Sequence, residues 1–219
     1  MSVSDSERAE LLIAATANLT HELRNVLAIV KETAGLVDDI MASGQSNSLN
    51  HDKLRTLVGR IESQTDRGAE LTSVLQQLTH ACENPDLPMD LSQIAVHVAM
   101  MCNRCAKKKR QSVRVRSHDC EVHVAGDQLS VYMAIHTAVM SCLELLPESA
   151  VLDLHIGAAV GGIPMDMLGS VEGVAVPMNP TQEPTGNKLN KIVAGVGASL
   201  EVEKDKHRLR IVFPVTTIG

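Results

Sequence analysis

Residues 11–40 read LLIAATANLTHELRNVLAIVKETAGLVDDI and carry a near-heptad apolar stripe. Its positions recur at intervals of three and four residues, the spacing that returns side chains to one face of an α-helix. They are Leu12, Ala15, Leu19, Leu23, Val26, Val30, Thr33, Val37 and Ile40. The stripe predicts one helix over about residues 4–41, about 55 Å long at the usual rise per residue.

A second amphipathic helix is predicted over about residues 51–81, after the turn-rich segment SGQSNS at residues 43–48. Two long helices with a short connection form a helical hairpin. Because each helix has one long apolar face, a single hairpin leaves part of that surface in water. Pairing two hairpins covers it, so we expect a homodimer built on a four-helix bundle.

The rest of the chain predicts a second domain of mixed α and β structure. A Pro-containing linker at residues 82–88 separates the two parts and gives expected domains of residues 1–83 and 89–219. Helices are expected over residues 91–107, 127–146 and 188–196, and strands over residues 113–115, 122–124, 151–156, 171–178, 200–203 and 209–215. This order favours an α/β sandwich with helices on one face of one sheet, closed by a hairpin of the last two strands.

Composition excludes several classes of function. The 219 residues carry a net charge of −6 and only 1% aromatic residues, which argues against nucleic-acid binding. No apolar segment is long enough to span a membrane and no signal peptide is visible, so we expect a cytoplasmic protein. Five irregularly spaced cysteines do not form a disulfide framework. The pair Cys102 and Cys105 lacks a second pair at zinc-site spacing, so no metal site is expected.

The chemistry-bearing candidate is the segment around His21, in the middle of the first predicted helix. Successive helical residues turn by about 100°, which places His21 about 160° from Leu19 and predicts a solvent-facing imidazole. Asn25 shares its face, and Glu22 is its neighbour. A carboxylate beside the ring is able to take its proton or fix its tautomer, which would make the imidazole a nucleophile. The alternative is an ordinary surface histidine.

The stretch from His21 to Ala28, HELRNVLA, resembles the H-box of sensor histidine kinases. The resemblance covers about residues 5–82 and extends to the long helix that carries the motif and the helix after it. It implies that His21 is the phosphoacceptor, that Glu22 is its acid/base neighbour, and that Asn25 is the residue associated with dephosphorylation of a partner. From its place on the face of His21, Asn25 is also expected to position a phosphoryl group or a water. Val26 stands where that family typically has proline. Thr20 and Arg24 are expected to take part in partner docking.

The second domain resembles that family's ATP-binding domain in outline, but the residues that bind nucleotide there are missing. Thr137 and Ser141 stand near the position of the metal-binding asparagine, and the pair Gly161–Gly162 lacks the preceding aspartate. Only Gly186 stands where a glycine-rich phosphate loop would be. The resemblance therefore implies a degenerate ATPase-like α/β sandwich after a dimeric helical hairpin, with no cofactor in this chain.

A kinase-like chain that keeps its histidine and lacks an ATP site resembles the dimeric histidine phosphotransferases of phosphorelays. We expect a protein-histidine phosphotransferase that passes phosphoryl groups between response-regulator aspartates through His21, with Mg²⁺ supplied by the partner receiver domain. One alternative is a non-catalytic pseudokinase that sequesters a kinase or a response regulator. Another is an active histidine kinase with a divergent ATP site. The basic run 107–110 is either a solvated turn or a docking patch for an acidic receiver domain.

Overall fold

The computed structural model describes residues 4–43, 48–116, 122–124, 126–157, 161–180, 185–203, 205 and 207–214. Two long helices open the chain, α1 (Asp5–Ala42) and α2 (Ser48–Glu83). The chain divides into two compact units, residues 16–77, here the hairpin unit, and residues 1–15 with 78–219, here the α/β unit. The predicted domain limits of residues 1–83 and 89–219 stay a prediction.

The hairpin unit confirms the two predicted helices. On α1 the buried residues Leu19, Val26 and Thr33 follow the predicted stripe. On α2 the buried residues of this unit include Leu71 and Val74. Gly68 faces α1 in this packing, and a Cβ added there would lie 3.4 Å from Cγ1 of Val26, an ordinary van der Waals contact. At the start of α1, which belongs to the α/β unit, Leu11 is buried and the predicted Leu12 is only half-buried.

The α/β unit contains eight strands and three further helices within the described residues. In chain order these are β1 (Met89–Asp90), α3 (Leu91–Lys108), β2 (Ser112–Arg116), β3 (His123–Val124), α4 (Gln128–Leu145), β4 (Val151–Ile156), β5 (Ile163–Val171), β6 (Val174–Val176), α5 (Thr185–Gly195), β7 (Ser199–Glu203) and β8 (Arg208–Phe213). The main sheet has the order β2-β4-β5-β8-β7, with β6 paired to β5, and β1 pairs β3 in a small separate sheet. Only β2 and β4 are parallel in the main sheet.

One face of the main sheet forms the core with the helices. Alternate residues of β4, β5 and β8 are buried, as expected for strands with one covered face. Helix α4 is buried on nearly every side and packs between α3 and α5. The predicted architecture is therefore confirmed, a long helical hairpin followed by an α/β domain. Among the described residues, no helix is both long and apolar enough to cross a membrane.

Strand β5 is the element that the sequence did not reveal. The prediction was a single strand over residues 171–178, whereas β5 ends at Val171 and a short β6 returns beside it. Glu172 and Gly173 both have positive φ, 51° and 82°, which makes a tight hairpin turn between these strands. Pro164 disguised β5, because proline lacks the backbone N–H that a central strand normally donates.

Gly162, at the start of β5, has a packing role that explains one of the paired glycines. A Cβ added there would lie 2.5 Å from Cγ1 of Val212 and 3.3 Å from the carbonyl oxygen of Phe213, both on β8. Gly162→Ala is therefore expected to lower the free energy of unfolding by about 1–3 kcal/mol, measured by urea denaturation. Adding Val212→Ala should recover part of the loss, and an unchanged midpoint in the single variant would contradict this packing.

Candidate functional site

His21 lies in the middle of α1 and is half-buried. Its Nδ1 atom is 3.3 Å from Nδ2 of Asn25, one helical turn later. The sequence placed these two residues on one face, and the structure brings them within hydrogen-bonding distance. Because Nδ1 faces Asn25, Nε2 is the ring nitrogen left to react with a partner.

The Asn25 contact also controls which ring nitrogen carries the proton. With the amide nitrogen toward the ring, Nδ1 accepts a hydrogen bond and the proton of a neutral imidazole is on Nε2. With the amide turned by a half rotation, its oxygen accepts from Nδ1–H and the lone pair is on Nε2. The second arrangement is the one in which Nε2 is a nucleophile.

Glu22 is not exposed beside the imidazole but buried, with 5% of its surface accessible. Helical geometry explains this, because at about 100° per residue Glu22 lies about 60° from Leu19 and about 40° from Val26, within the apolar stripe. Its Oε2 atom accepts a hydrogen bond of 2.6 Å from Nη2 of Arg67 on α2. The sequence placed Glu22 beside the imidazole and did not predict its burial. Its acid/base role stays a prediction.

Arg67 is the residue that sequence reasoning missed. It contacts Glu22 across the two helices, 45 residues away along the chain. In the sequence, Arg67 is one of several charged and polar residues in the segment ESQTDRGAE at residues 62–70, and nothing there singles it out. Only the register of α1 against α2 shows that the two charges meet.

The expected docking residues Thr20 and Arg24 are both exposed. Thr20 Oγ1 donates to the carbonyl oxygen of Thr16 at 2.6 Å, a bond back to the preceding turn of its own helix. Both residues flank His21 in sequence, so they are accessible to a molecule that approaches the imidazole. Their part in docking stays a prediction.

A second histidine repeats the geometry of His21. His80, which is exposed on α2, has its Nδ1 atom 3.4 Å from Nδ2 of Asn84. The spacing is again four residues, so a histidine–asparagine pair on a helix does not by itself mark a phosphoacceptor. What distinguishes His21 is the HELRN context and the ion pair of the buried Glu22 with Arg67 at its side.

In the α/β unit, Thr137 and Ser141 lie on α4, where the resemblance had placed a metal-binding asparagine. Ser141 Oγ donates to the carbonyl oxygen of Thr137 at 2.8 Å, so this hydroxyl is used within the helix. Within the described ranges, no three His, Cys, Asp or Glu side chains are grouped to hold a metal ion. Residues 158–160 and 181–184, which include parts of two expected nucleotide motifs, lie outside the described residues.

Both members of the Cys102–Cys105 pair lie on α3. Cys102 is buried in α3, and burial raises the pKa of its thiol.

In the basic run, Lys109 Nζ donates to the carbonyl oxygens of Leu143 and Glu144, at 3.3 and 3.1 Å. A cation at the carboxyl end of α4 satisfies carbonyl groups that have no partner in the helix. Lys109 therefore caps a helix, and the solvated turn and the docking patch both stay predictions for the run.

No protein-family model matches the chain, and no curated protein matches it. Solved structures do match. The catalytic domain of histidine kinase ThkA gives a TM-score of 0.49 at 10% identity, covering 59% of this chain and 95% of that one. Acinetobacter baumannii histidine kinase AdeS gives 0.48 at 10% identity, covering 91% and 98%.

ThkA in complex with the response regulator protein TrrA gives a TM-score of 0.48 at 14% identity and covers 96% of this chain and 63% of that one. These three solved structures, to which the chain is similar, are histidine kinases.

Proposed function

We propose that this chain is a cytoplasmic, homodimeric histidine phosphotransferase of a two-component phosphorelay. It passes a phosphoryl group between response-regulator aspartates through His21 and does not phosphorylate itself from ATP. The observation that carries the proposal is the half-buried His21, whose Nδ1 lies 3.3 Å from the Asn25 amide and which stands one residue from Glu22, the buried partner of Arg67. The HELRN context supplies the class of partner.

The transfer step needs little from this chain beyond an oriented nucleophile. The lone pair on Nε2 of His21 attacks the phosphorus of a receiver's aspartyl phosphate. The P–O bond to the aspartate breaks, and the carboxylate leaves with its electron pair. The structure has Nδ2 of Asn25 toward Nδ1, so this step needs the amide turned by a half rotation, with its oxygen accepting from Nδ1–H. The positive charge formed on the ring then favours the reverse transfer to a second aspartate. The receiver's Mg²⁺ offsets the charge on the phosphoryl oxygens.

Glu22 and Arg67 support the nucleophile from the side of the helix interface. Their ion pair joins α1 to α2 one residue from His21. A helix held at this point gives the imidazole a fixed position, and positioning of reactants is a large part of phosphoryl-transfer catalysis. We therefore propose a positioning role for the pair, next to the acid/base role expected of Glu22.

The hairpin unit also leaves apolar surface that supports the proposed dimer. Large side chains remain exposed on both helices, with Leu27 61%, Met41 68% and Val58 45% accessible. Burying such surface against a second copy stabilises a four-helix bundle, as a single hairpin cannot.

The experiment that tests the function compares two phosphoryl donors. One tube holds this protein with a receiver domain that carries a labelled aspartyl phosphate, and a parallel tube holds it with labelled ATP and Mg²⁺. We expect acid-labile label on this protein from the receiver and none from ATP. Label from ATP would mean an active kinase, and no label from any host receiver would favour the pseudokinase that only binds its partner.

Asn25 provides a sharper test of the mechanism. Asn25→Asp keeps an acceptor for Nδ1–H, so we expect a transfer rate within about threefold of wild type. Asn25→Leu removes the acceptor at similar volume, so we expect a rate about tenfold lower. This is less than the roughly 10²-fold that general acid–base catalysis contributes, because Asn25 holds a proton and does not transfer it. The rates are measured by rapid quench with a phosphorylated receiver. Equal rates in the two variants would show that Asn25 does not set the tautomer of His21.

A further inference from the structure

A cavity of about 550 Å³ lies within the α/β unit, between α4, α5 and the first turns of α1. Its volume is in the range of small-molecule sites. One wall is apolar and is formed by side chains from all three helices, namely Leu11, Ala14, Met133, Met140 and Ile192. Two methionines make this wall adaptable to ligands of different shape.

The polar side of the cavity carries three carboxylates and one ammonium group. Glu7 lies 3.9 Å from Lys191, and Glu10 lies 3.9 Å from the cavity residue Lys188. Hydrogen bonds from the backbone and side chain of Ser4 lower the pKa of Glu7, so this carboxyl is ionised at neutral pH. Two of the three carboxylates thus have a lysine close by.

Glu144, on the last turn of α4, is the third carboxylate. Among the described residues it has no ion-pair partner, and the nearby Lys109 donates to its main-chain carbonyl oxygen instead. The imidazole of His136 does not balance it, because burial lowers the pKa of that ring to about 4 and leaves it neutral at pH 7. The cavity therefore joins an apolar wall to a solvent-exposed carboxylate that has no ion-pair partner among the described residues.

We propose that this cavity binds a small organic cation, a primary amine on an apolar body, with Glu144 as its counter-ion. The apolar body packs on the methionine-rich wall, and the ammonium group faces the carboxylate. A triphosphate is disfavoured in the same place, since its charge would meet three carboxylates and a single lining lysine. The proposal does not depend on the role of His21.

Binding of three matched probes to the full chain tests this inference, by isothermal titration calorimetry at pH 7. The probes are 4-phenylbutylamine, 4-phenylbutan-1-ol and 4-phenylbutyrate, which share an apolar body and differ in charge. We expect the amine to bind about threefold to fivefold more tightly than the alcohol, the effect of one charge pair at a protein surface, and the carboxylate to bind most weakly.

Glu144→Gln should bring the amine to the affinity of the alcohol, whereas Glu148→Gln, an exposed glutamate outside the cavity lining, should leave the preference unchanged. Equal affinity of amine and alcohol in wild type, or no binding of any probe, would overturn the proposal. Displacement of the amine by ATP would contradict the charge argument against a triphosphate in this cavity and would count against the proposed function. A protein that binds no amine but still accepts the phosphoryl label would overturn the cavity proposal and leave the proposed function standing.

Discussion

His21→Ala is expected to abolish the acid-labile phosphoryl label that a phosphorylated receiver transfers to this protein. The imidazole is the proposed nucleophile, and alanine has no group that can replace it. The helix should remain, because alanine is the best helix former and His21 lies off the apolar stripe. The measurement is label per chain after mixing with a phosphorylated receiver, together with the helical circular-dichroism signal and the molecular mass in solution.

His80→Ala is the matched control, since His80 repeats the spacing and the asparagine contact of His21 on the other helix. It should retain full label. If the label survives in His21→Ala and disappears in His80→Ala, the phosphoacceptor is His80 on α2 and the assignment to His21 on α1 is wrong. A loss of dimer mass in His21→Ala would show that the imidazole contributes to the helix interface.

Arg67→Met should lower the free energy of unfolding by about 3 kcal/mol, because it removes a partner from a buried carboxylate. Glu22 is only 5% accessible, so it cannot recover this interaction by turning into water. Arg67 is partly accessible, with 38% of its side chain exposed, which keeps the expected loss at the low end for a broken ion pair. Urea denaturation followed by circular dichroism measures the change.

Two further variants separate charge from packing in that result. Arg67→Met combined with Glu22→Leu replaces the pair by apolar side chains and should regain most of the lost stability. Arg116→Met breaks an exposed pair with Asp153, at 3.2 Å, and should cost less than about 1 kcal/mol. If Arg67→Met also lowers the free energy of unfolding by less than about 1 kcal/mol, the buried carboxylate of Glu22 does not need Arg67 as its partner.

The helices were the most readable elements of this chain. The stripe from Leu12 to Ile40 repeats many times at helical spacing, so a single departure, such as Leu11 in place of Leu12, leaves the helix itself unchanged. Strand β5 was not readable, because Pro164 and the paired glycines before it interrupt the alternation of a strand. Its place between β4 and β8 depends on partners that are distant in sequence.

The candidate site divides in the same way. Sequence alone determined that His21 and Asn25 share a helix face, because a spacing of four residues fixes their separation within one element. The environment of Glu22 was decided only by tertiary structure. Its burial and its bond to Arg67 arise from the packing of α1 on α2, and the cavity at Glu144 arises from three helices that sequence places far apart. Local periodicity fixes the angle of a residue on its own helix, whereas the residue that it meets depends on contacts between elements.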